Sequence, residues 1–167
     1  MTPPGKRPHR ILVVDDDPGI RGFLTGALED EGYEVRVATN GSEALGVLTT
    51  LSDWVPDAIL LDLYMPEMDG WTFRANQLAL DGPAARIPVI VLTASRNLGG
   101  RGGELHATAV MEKPFELDAL FARLEQMLNA SSPGDPVGSS PGGPPADSHG
   151  GSPVDSHGGL PLTPPAG

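Results

Sequence analysis

The sequence contains no cysteine, which removes disulfides, thiolate metal sites, iron–sulfur clusters and cysteine nucleophiles. Long apolar runs are missing too: none approaches the ~18–20 residues that span a bilayer. The opening Met1-Thr-Pro-Pro-Gly-Lys-Arg-Pro-His-Arg10 has no apolar stretch of the kind a secretory leader needs. Positive charge is scarce, with 11 Lys and Arg against 22 Asp and Glu and a net charge of −11. Sequence-independent binding to nucleic acid or anionic lipid needs a cationic face. The expectation is therefore an acidic, soluble, cytoplasmic protein that contacts neither nucleic acid nor membrane directly.

What the sequence does have is unevenly spread. From Ser131 to Gly167, 25 of 37 positions are Gly, Pro or Ser, with no Lys or Arg. Such a segment cannot bury enough apolar surface to offset the entropy of ordering. The chain divides into an N-terminal extension (1–8), one folded domain (9–130) and a tail expected to be disordered (131–167). Inside the tail, Asp147-Ser-His-Gly-Gly151 recurs as Asp155-Ser-His-Gly-Gly159. Its histidines and aspartates offer weak transition-metal ligands, but a duplicated low-complexity octapeptide explains it more simply.

Between these ends, five short apolar runs alternate with helical patterns. Arg10-Ile-Leu-Val-Val14, Tyr33–Ala38, Ala58-Ile-Leu-Leu61, Pro88-Val-Ile-Val-Leu92 and Val110-Met111 read as strands. Runs that are apolar throughout imply strands buried on both faces. Asp17-Pro18 starts a helix by cap and first-turn proline, with Ile20, Phe23, Leu24, Ala27 and Leu28 on its apolar face and Gly32 at its end. Further helices are expected over Ser42–Leu51, Trp71–Leu80 and Glu116–Leu128. Phe23, Trp71 and Phe121 are expected in the core. Between Ser95 and Ala109, where alternation calls for a fourth helix, Gly99, Gly100, Gly102 and Gly103 each cost a helix interior about 1 kcal/mol. A distorted or shortened element is expected there. The class that follows is α/β: a parallel sheet with helices on both faces, joined by right-handed crossovers.

In such a fold, ligands bind beyond the carboxyl ends of the strands, and the polar residues interrupting the apolar runs fall at those ends. Asp15 and Asp16 follow strand one, Asp62 ends strand three, Thr93 ends strand four, and Lys113 follows strand five. With strands one and three adjacent, about 5 Å apart, three carboxylates converge. A hard, oxygen-liganded cation such as Mg²⁺ is the neutraliser that suits them. Asp17 is read as a helix cap, Pro66 and Asp69-Gly70 as loop formers; His9 and His106 have no partner at ligand spacing.

Ile11-Leu-Val-Val-Asp-Asp-Asp-Pro18, Leu60-Leu-Asp-Leu-Tyr-Met-Pro-Glu-Met-Asp-Gly70, Val89-Ile-Val-Leu-Thr-Ala94 and Glu112-Lys-Pro-Phe115 resemble, in order, the four signature blocks of the receiver domain of bacterial two-component response regulators. The resemblance covers about Arg10 to Leu128. It implies a flavodoxin-like five-stranded sheet of order 2-1-3-4-5 and makes Asp62 the phosphoacceptor. Mg²⁺ would be held by Asp15, Asp16, Asp62 and the backbone carbonyl of Tyr64. Thr93 would bond a phosphoryl oxygen, Lys113 would pair with the phosphorylated aspartate, and the Lys113–Pro114 bond would be cis. The implied partners are a sensor histidine kinase or phosphotransfer protein upstream and a protein target downstream. The implied activity is signalling, with catalysis limited to the domain's own phosphorylation and dephosphorylation.

Two departures from the family pattern stand out. Val110 occupies the place, three residues before the lysine, where relatives usually carry an aromatic residue, and Thr93 and Lys113 are about two residues closer than is common. They leave an alternative open: a receiver-fold docking module that no longer switches. A phosphohydrolase of similar sheet usually carries a second acid two residues after its nucleophile, where this chain has Tyr64. With low-complexity sequence after the last helix, a stand-alone regulator acting through protein–protein contact is expected.

Overall fold

The computed structural model describes residues 7–50, 53–95 and 97–131. The tail and its duplicated octapeptide, apart from Ser131, and residues 1–6 of the extension lie outside them. Five strands, β1 (Arg10–Val14), β2 (Glu34–Ala38), β3 (Ala58–Asp62), β4 (Val89–Thr93) and β5 (Ala109–Glu112), form one sheet of order β2-β1-β3-β4-β5. Every pairing is parallel. The α-helices are α1 (Pro18–Asp30), α2 (Gly41–Thr50), α3 (Gly70–Leu78) and α4 (Leu117–Ser131). Among the described residues, no helix is long and apolar enough to cross a membrane.

The inner strands β1, β3 and β4 are apolar on both faces because each face has its own cover, whereas the edge strand β2 carries Glu34 and Arg36. Ile11, Val13, Leu60, Ile90 and Leu92 point to one side and meet Leu24 and Leu28 of α1 with Leu120 and Leu124 of α4. Leu12, Val14, Ile59, Leu61 and Val91 point to the other and meet Ala44 of α2 and Phe73 of α3. The period of two along each strand thus distributes one sequence between two cores.

Local chemistry sets the helix ends. The Asp17 carboxylate accepts from the amides of Gly19 (2.7 Å) and Ile20 (3.1 Å), with Pro18 in the first turn. At the far end, Gly32 takes a left-handed φ of 88°. The Tyr33 amide then donates to the Leu28 carbonyl and the Gly32 amide to Glu29, the paired bonds of a glycine-terminated helix.

Between β4 and β5, where a distorted or shortened element is expected, the described residues form a 3-10 helix over Arg101–Leu105 and no α-helix. Gly99 and Gly100 on its approach have positive φ of 59° and 78°, conformations that side chains disfavour. Other expectations need correction. Phe23 is not core: it is 57% exposed, because only Leu24 and Leu28 of its stripe face the sheet squarely. Trp71 is half-buried, with the Arg101 guanidinium 4.4 Å from its ring centre. Phe121 is half-buried against the α1–α4 core. The last helix continues to Ser131, one residue into the expected tail.

Asp57 fastens the approach to β1. Its carboxylate accepts from both terminal nitrogens of Arg7 (3.0 and 2.8 Å) and from the Arg10 amide (2.8 Å), and His9 Nδ1 lies 3.6 Å away. Burial pushes the Asp57 carboxyl up, but the Arg7 guanidinium and the Arg10 amide outweigh it and leave it below the ordinary carboxylate range. A carboxyl lowered on folding stabilises the fold above its unfolded pKa and loses that contribution as pH falls through the folded one. Asp57→Asn is therefore expected to melt lower than wild type at pH 7. Melts recorded at successively lower pH should show that gap closing below the ordinary carboxylate range.

Candidate functional site

The register of the sheet assembles the site. Val14 pairs with Leu61 and Asp62 with Leu92, so Asp15, one residue beyond β1, stands beside Asp62 at the end of β3. Thr93 pairs with Glu112, and the Lys113 amide donates to the Thr93 carbonyl at 2.7 Å. Four polar residues from four chain segments therefore end at one rim of the sheet. The Lys113–Pro114 bond is cis.

Carboxylate oxygens of Asp15, Asp16 and Asp62 lie within 4.8 Å of one another. Asp15 is 2% and Asp62 6% exposed, whereas Asp16 opens to solvent. Lys113 supplies the cation: its Nζ is 2.7 Å from Asp15 Oδ2 and 3.6 Å from Asp62 Oδ1. One ammonium against three converging carboxylates leaves a negative surplus in a partly dry pocket, where charge repulsion is weakly screened. Burial pushes the Asp62 carboxyl above its ordinary pKa; Lys113 and the amides of Tyr64 and Leu63 offset part of the rise, and Asp15 adds to it. Asp57 and Asp62 thus shift in opposite directions. One is met by a guanidinium and an amide, the other is buried beside its own kind.

The backbone around the carboxylates is held firmly. Asp15 Oδ1 accepts from the Asp17 amide at 2.9 Å, and the Asp15 carbonyl accepts from the Arg21 guanidinium at 2.7 Å. Asp15 is thereby fixed at both its main chain and its side chain. Behind Asp62, the Gly70 amide donates to the Leu63 carbonyl at 3.0 Å. A Cβ on Gly70 would fall 2.3 Å from the Asp62 carbonyl oxygen and 2.8 Å from Leu63 Cα. The N-terminus of α3 therefore abuts the main chain carrying Asp62, and only glycine leaves the room. Asp69 caps the helix through the Thr72 amide at 2.8 Å.

Thr93 is fully buried, and its hydroxyl oxygen accepts from the Ser95 amide at 3.4 Å. Tyr64, two residues past Asp62, is 58% exposed. The structure thus gathers Asp15, Asp16 and Asp62 together, sets Lys113 against Asp15 and Asp62, and places Thr93 on the same rim. Sequence reasoning missed Arg21. Its signal was a single basic residue in the first turns of a helix that follows three acids.

The donor set fits a hard divalent cation. Three carboxylate oxygens converge, one of the three residues faces solvent, and the local positive charge falls short of the negative. Two or three carboxylates with retained waters are what Mg²⁺ asks of a protein.

A family model described as the response regulator receiver domain matches residues 11–125. The response regulator MprA of Mycolicibacterium vanbaalenii is 41% identical over 133 residues, 78% of this chain and 55% of that protein. MprA of Mycobacterium tuberculosis is 39% identical over 132 residues, again 78% and 55%. The chain thus spans about half the length of the curated relatives it matches. Among solved structures, the signal receiver domain of a signal transduction histidine kinase from Syntrophus aciditrophicus has a TM-score of 0.67. It is 31% identical, with 77% of this chain and 96% of that chain covered. The response regulator TrrA of Thermotoga maritima, solved in complex with Mg²⁺ and BeF, has a TM-score of 0.63. It is 31% identical, with 71% and 98% covered. The order of the sheet, the rim of acids and the matched model agree, and the chain belongs to the response regulator receiver domain family, with the signalling role and flavodoxin-like fold of that family.

Proposed function

We propose that Asp62 is the phosphoacceptor of this receiver, taking its phosphoryl group from a phosphohistidine on a sensor histidine kinase or phosphotransfer protein. An oxygen of the Asp62 carboxylate attacks phosphorus, the P–N bond breaks, and its electron pair returns to the imidazole ring. The product is an acyl phosphate, as in other aspartyl-phosphate chemistry. The observation that carries this reading is the meeting of Asp15, Asp16 and Asp62 with Lys113 at 2.7 and 3.6 Å.

Each residue has a task set by its place. Asp15, Asp16, Asp62 and the Tyr64 carbonyl would hold Mg²⁺, which when bound supplies charge neutralisation at the phosphoryl oxygens. Lys113 offers its ammonium to the phosphoryl group, exchanging part of its bond to Asp15. The Thr93 hydroxyl gives up its contact with the Ser95 amide and donates to a phosphoryl oxygen. Arg21 keeps the Asp15 main chain in place. Phosphoryl transfer asks little more than position and countercharge. The domain's catalysis is thus confined to gaining and losing its own phosphoryl group. The modified state then binds a downstream protein with altered affinity, by population shift.

The complex of TrrA with Mg²⁺ and BeF supplies the probe. Beryllofluoride with Mg²⁺ should give a bound ¹⁹F signal, and acetyl phosphate with Mg²⁺ should add one phosphoryl group to the intact mass. Both should vanish when the ion is chelated. A wild-type chain that stays unlabelled with Mg²⁺ present would sink the proposal. It would favour the docking module, a reading supported by the reduced 3-10 element between β4 and β5.

A further inference from the structure

Arg74, on α3, is 5% exposed and makes no ion pair with an acid among the described residues. Its guanidinium donates instead to neutral acceptors. Nε bonds the Leu105 carbonyl at 2.7 Å, one terminal nitrogen bonds the Gln77 side chain at 2.7 Å, and the other bonds the His106 carbonyl at 2.9 Å. Burying a guanidinium without a carboxylate is costly, and an apolar side chain would fill the space more cheaply. Its placement calls for a reason.

The two carbonyls are the last of the 3-10 helix over Arg101–Leu105, which ends on His106 in a left-handed conformation (φ 43°). Such terminal acceptors have no partner within their own helix. Arg74 supplies it from α3. One turn earlier on α3, the ring of Trp71 lies under the Arg101 guanidinium at 4.4 Å, a cation–π contact. Two arginines, one from each side, thus fasten both ends of this 3-10 helix to α3. Nearer Thr93, hydrogen bonds to side chains tie the described residues: the Ser95 amide to Thr93, then the Asn97 amide to Ser95 at 3.1 Å.

Resting on the phosphoacceptor reading, we propose that Arg74 is a positioning residue that latches the segment after Thr93 onto α3. A change at the Asp62 site is then carried to the α3 face and expressed at the Arg101–Trp71 contact. When Thr93 turns to a phosphoryl group, Ser95 is released and the segment moves against an anchored end. The displacement reaches Trp71 without an aromatic residue at Val110.

The test uses the full chain with Mg²⁺-beryllofluoride, followed by ¹⁹F signal, Trp emission and amide exchange over residues 97–108. Wild type should show the bound ¹⁹F signal together with changes in emission and exchange. Arg74→Met should keep the ¹⁹F signal, exchange 97–108 at least about tenfold faster before any addition, and show no further change on addition. Arg101→Ala should keep the ¹⁹F signal and lose the emission change. Wild-type protection and response in Arg74→Met would overturn the latch. If Arg74→Met does not fold, an unaltered emission response in Arg101→Ala overturns it. A bound ¹⁹F signal in wild type with no change at 97–108 also sinks this inference alone. Absence of the ¹⁹F signal in wild type fails the phosphoacceptor reading and the latch together.

Discussion

Asp62→Asn should abolish Mg²⁺-dependent labelling by acetyl phosphate while raising the melting temperature of the metal-free protein at pH 7. The asparagine has the same shape but no carboxylate to attack phosphorus, so labelling should fall to the background of a protein with no acceptor. The gain in stability comes from the same atoms. Asp62 is 6% exposed and shares a pocket with Asp15 and Asp16, with one ammonium among the three. Replacing a buried, crowded carboxylate by a neutral amide should relieve about 1–2 kcal/mol. At roughly 4 °C per kcal/mol for a domain of this size, thermal melts resolve it easily. Adding Mg²⁺ should stabilise wild type more than the variant and so narrow the gap. A variant that melts no higher, or that still takes up label, contradicts the assignment of Asp62. Asp15→Asn should weaken Mg²⁺ binding and labelling together, because Asp15 belongs to the proposed metal cluster and holds Lys113.

Gly70→Ala should be the most destabilising single-methyl change around the site, costing about 2–4 kcal/mol. Its added Cβ meets main-chain atoms: the Asp62 carbonyl oxygen at 2.3 Å, Leu63 Cα at 2.8 Å and the Asp62 carbonyl carbon at 3.1 Å. None of these can swing aside like the tip of a side chain. The end of β3 or the start of α3 must shift, and Asp62 is at that end. Denaturant unfolding should show the loss, and residual labelling should be slower than the surviving folded fraction accounts for. Gly46→Ala and Gly22→Ala are the controls. Both glycines lie in helices with nothing within 4 Å of an added Cβ, so each alanine should stabilise by about 0.5–1 kcal/mol. Equal behaviour at positions 70 and 46 would mean that the close approach behind Asp62 has no energetic weight.

The fold was legible because β1, β3 and β4 are short and apolar on both faces, so in them a polar residue at the carboxyl side marks the strand end. Asp15, Asp62 and Thr93 stood out for that reason. Parallel register then did the rest, since ends that align in a parallel sheet share one rim. Phe23 was illegible because a helical stripe defines an arc, not its buried centre; Leu24 and Leu28 take the centre and Phe23 the edge. Four glycines pointed to a weak element between β4 and β5 but could not specify a 3-10 helix, whose form depends on an outside donor. That donor, Arg74, looks in the sequence like any solvated arginine of a helix. Its burial follows from carbonyls 31 and 32 residues away that need hydrogen bonds. Arg21 was hidden for the same reason: its partner is a main-chain oxygen, which leaves no trace in side-chain patterns.

Lys113 is already committed before any modification, held to Asp15 at 2.7 Å and leaning toward Asp62 at 3.6 Å. An ammonium in that posture does not capture a new ligand from water; it trades one anion for another. The net driving force is a difference between two similar attractions, much smaller than either. A toggle built on so shallow a gradient can be tipped back by modest forces, including the grip of a bound protein. Under the proposed phosphoacceptor reading, reversal would be as much a property of this lysine's divided allegiance as of the acyl phosphate formed beside it.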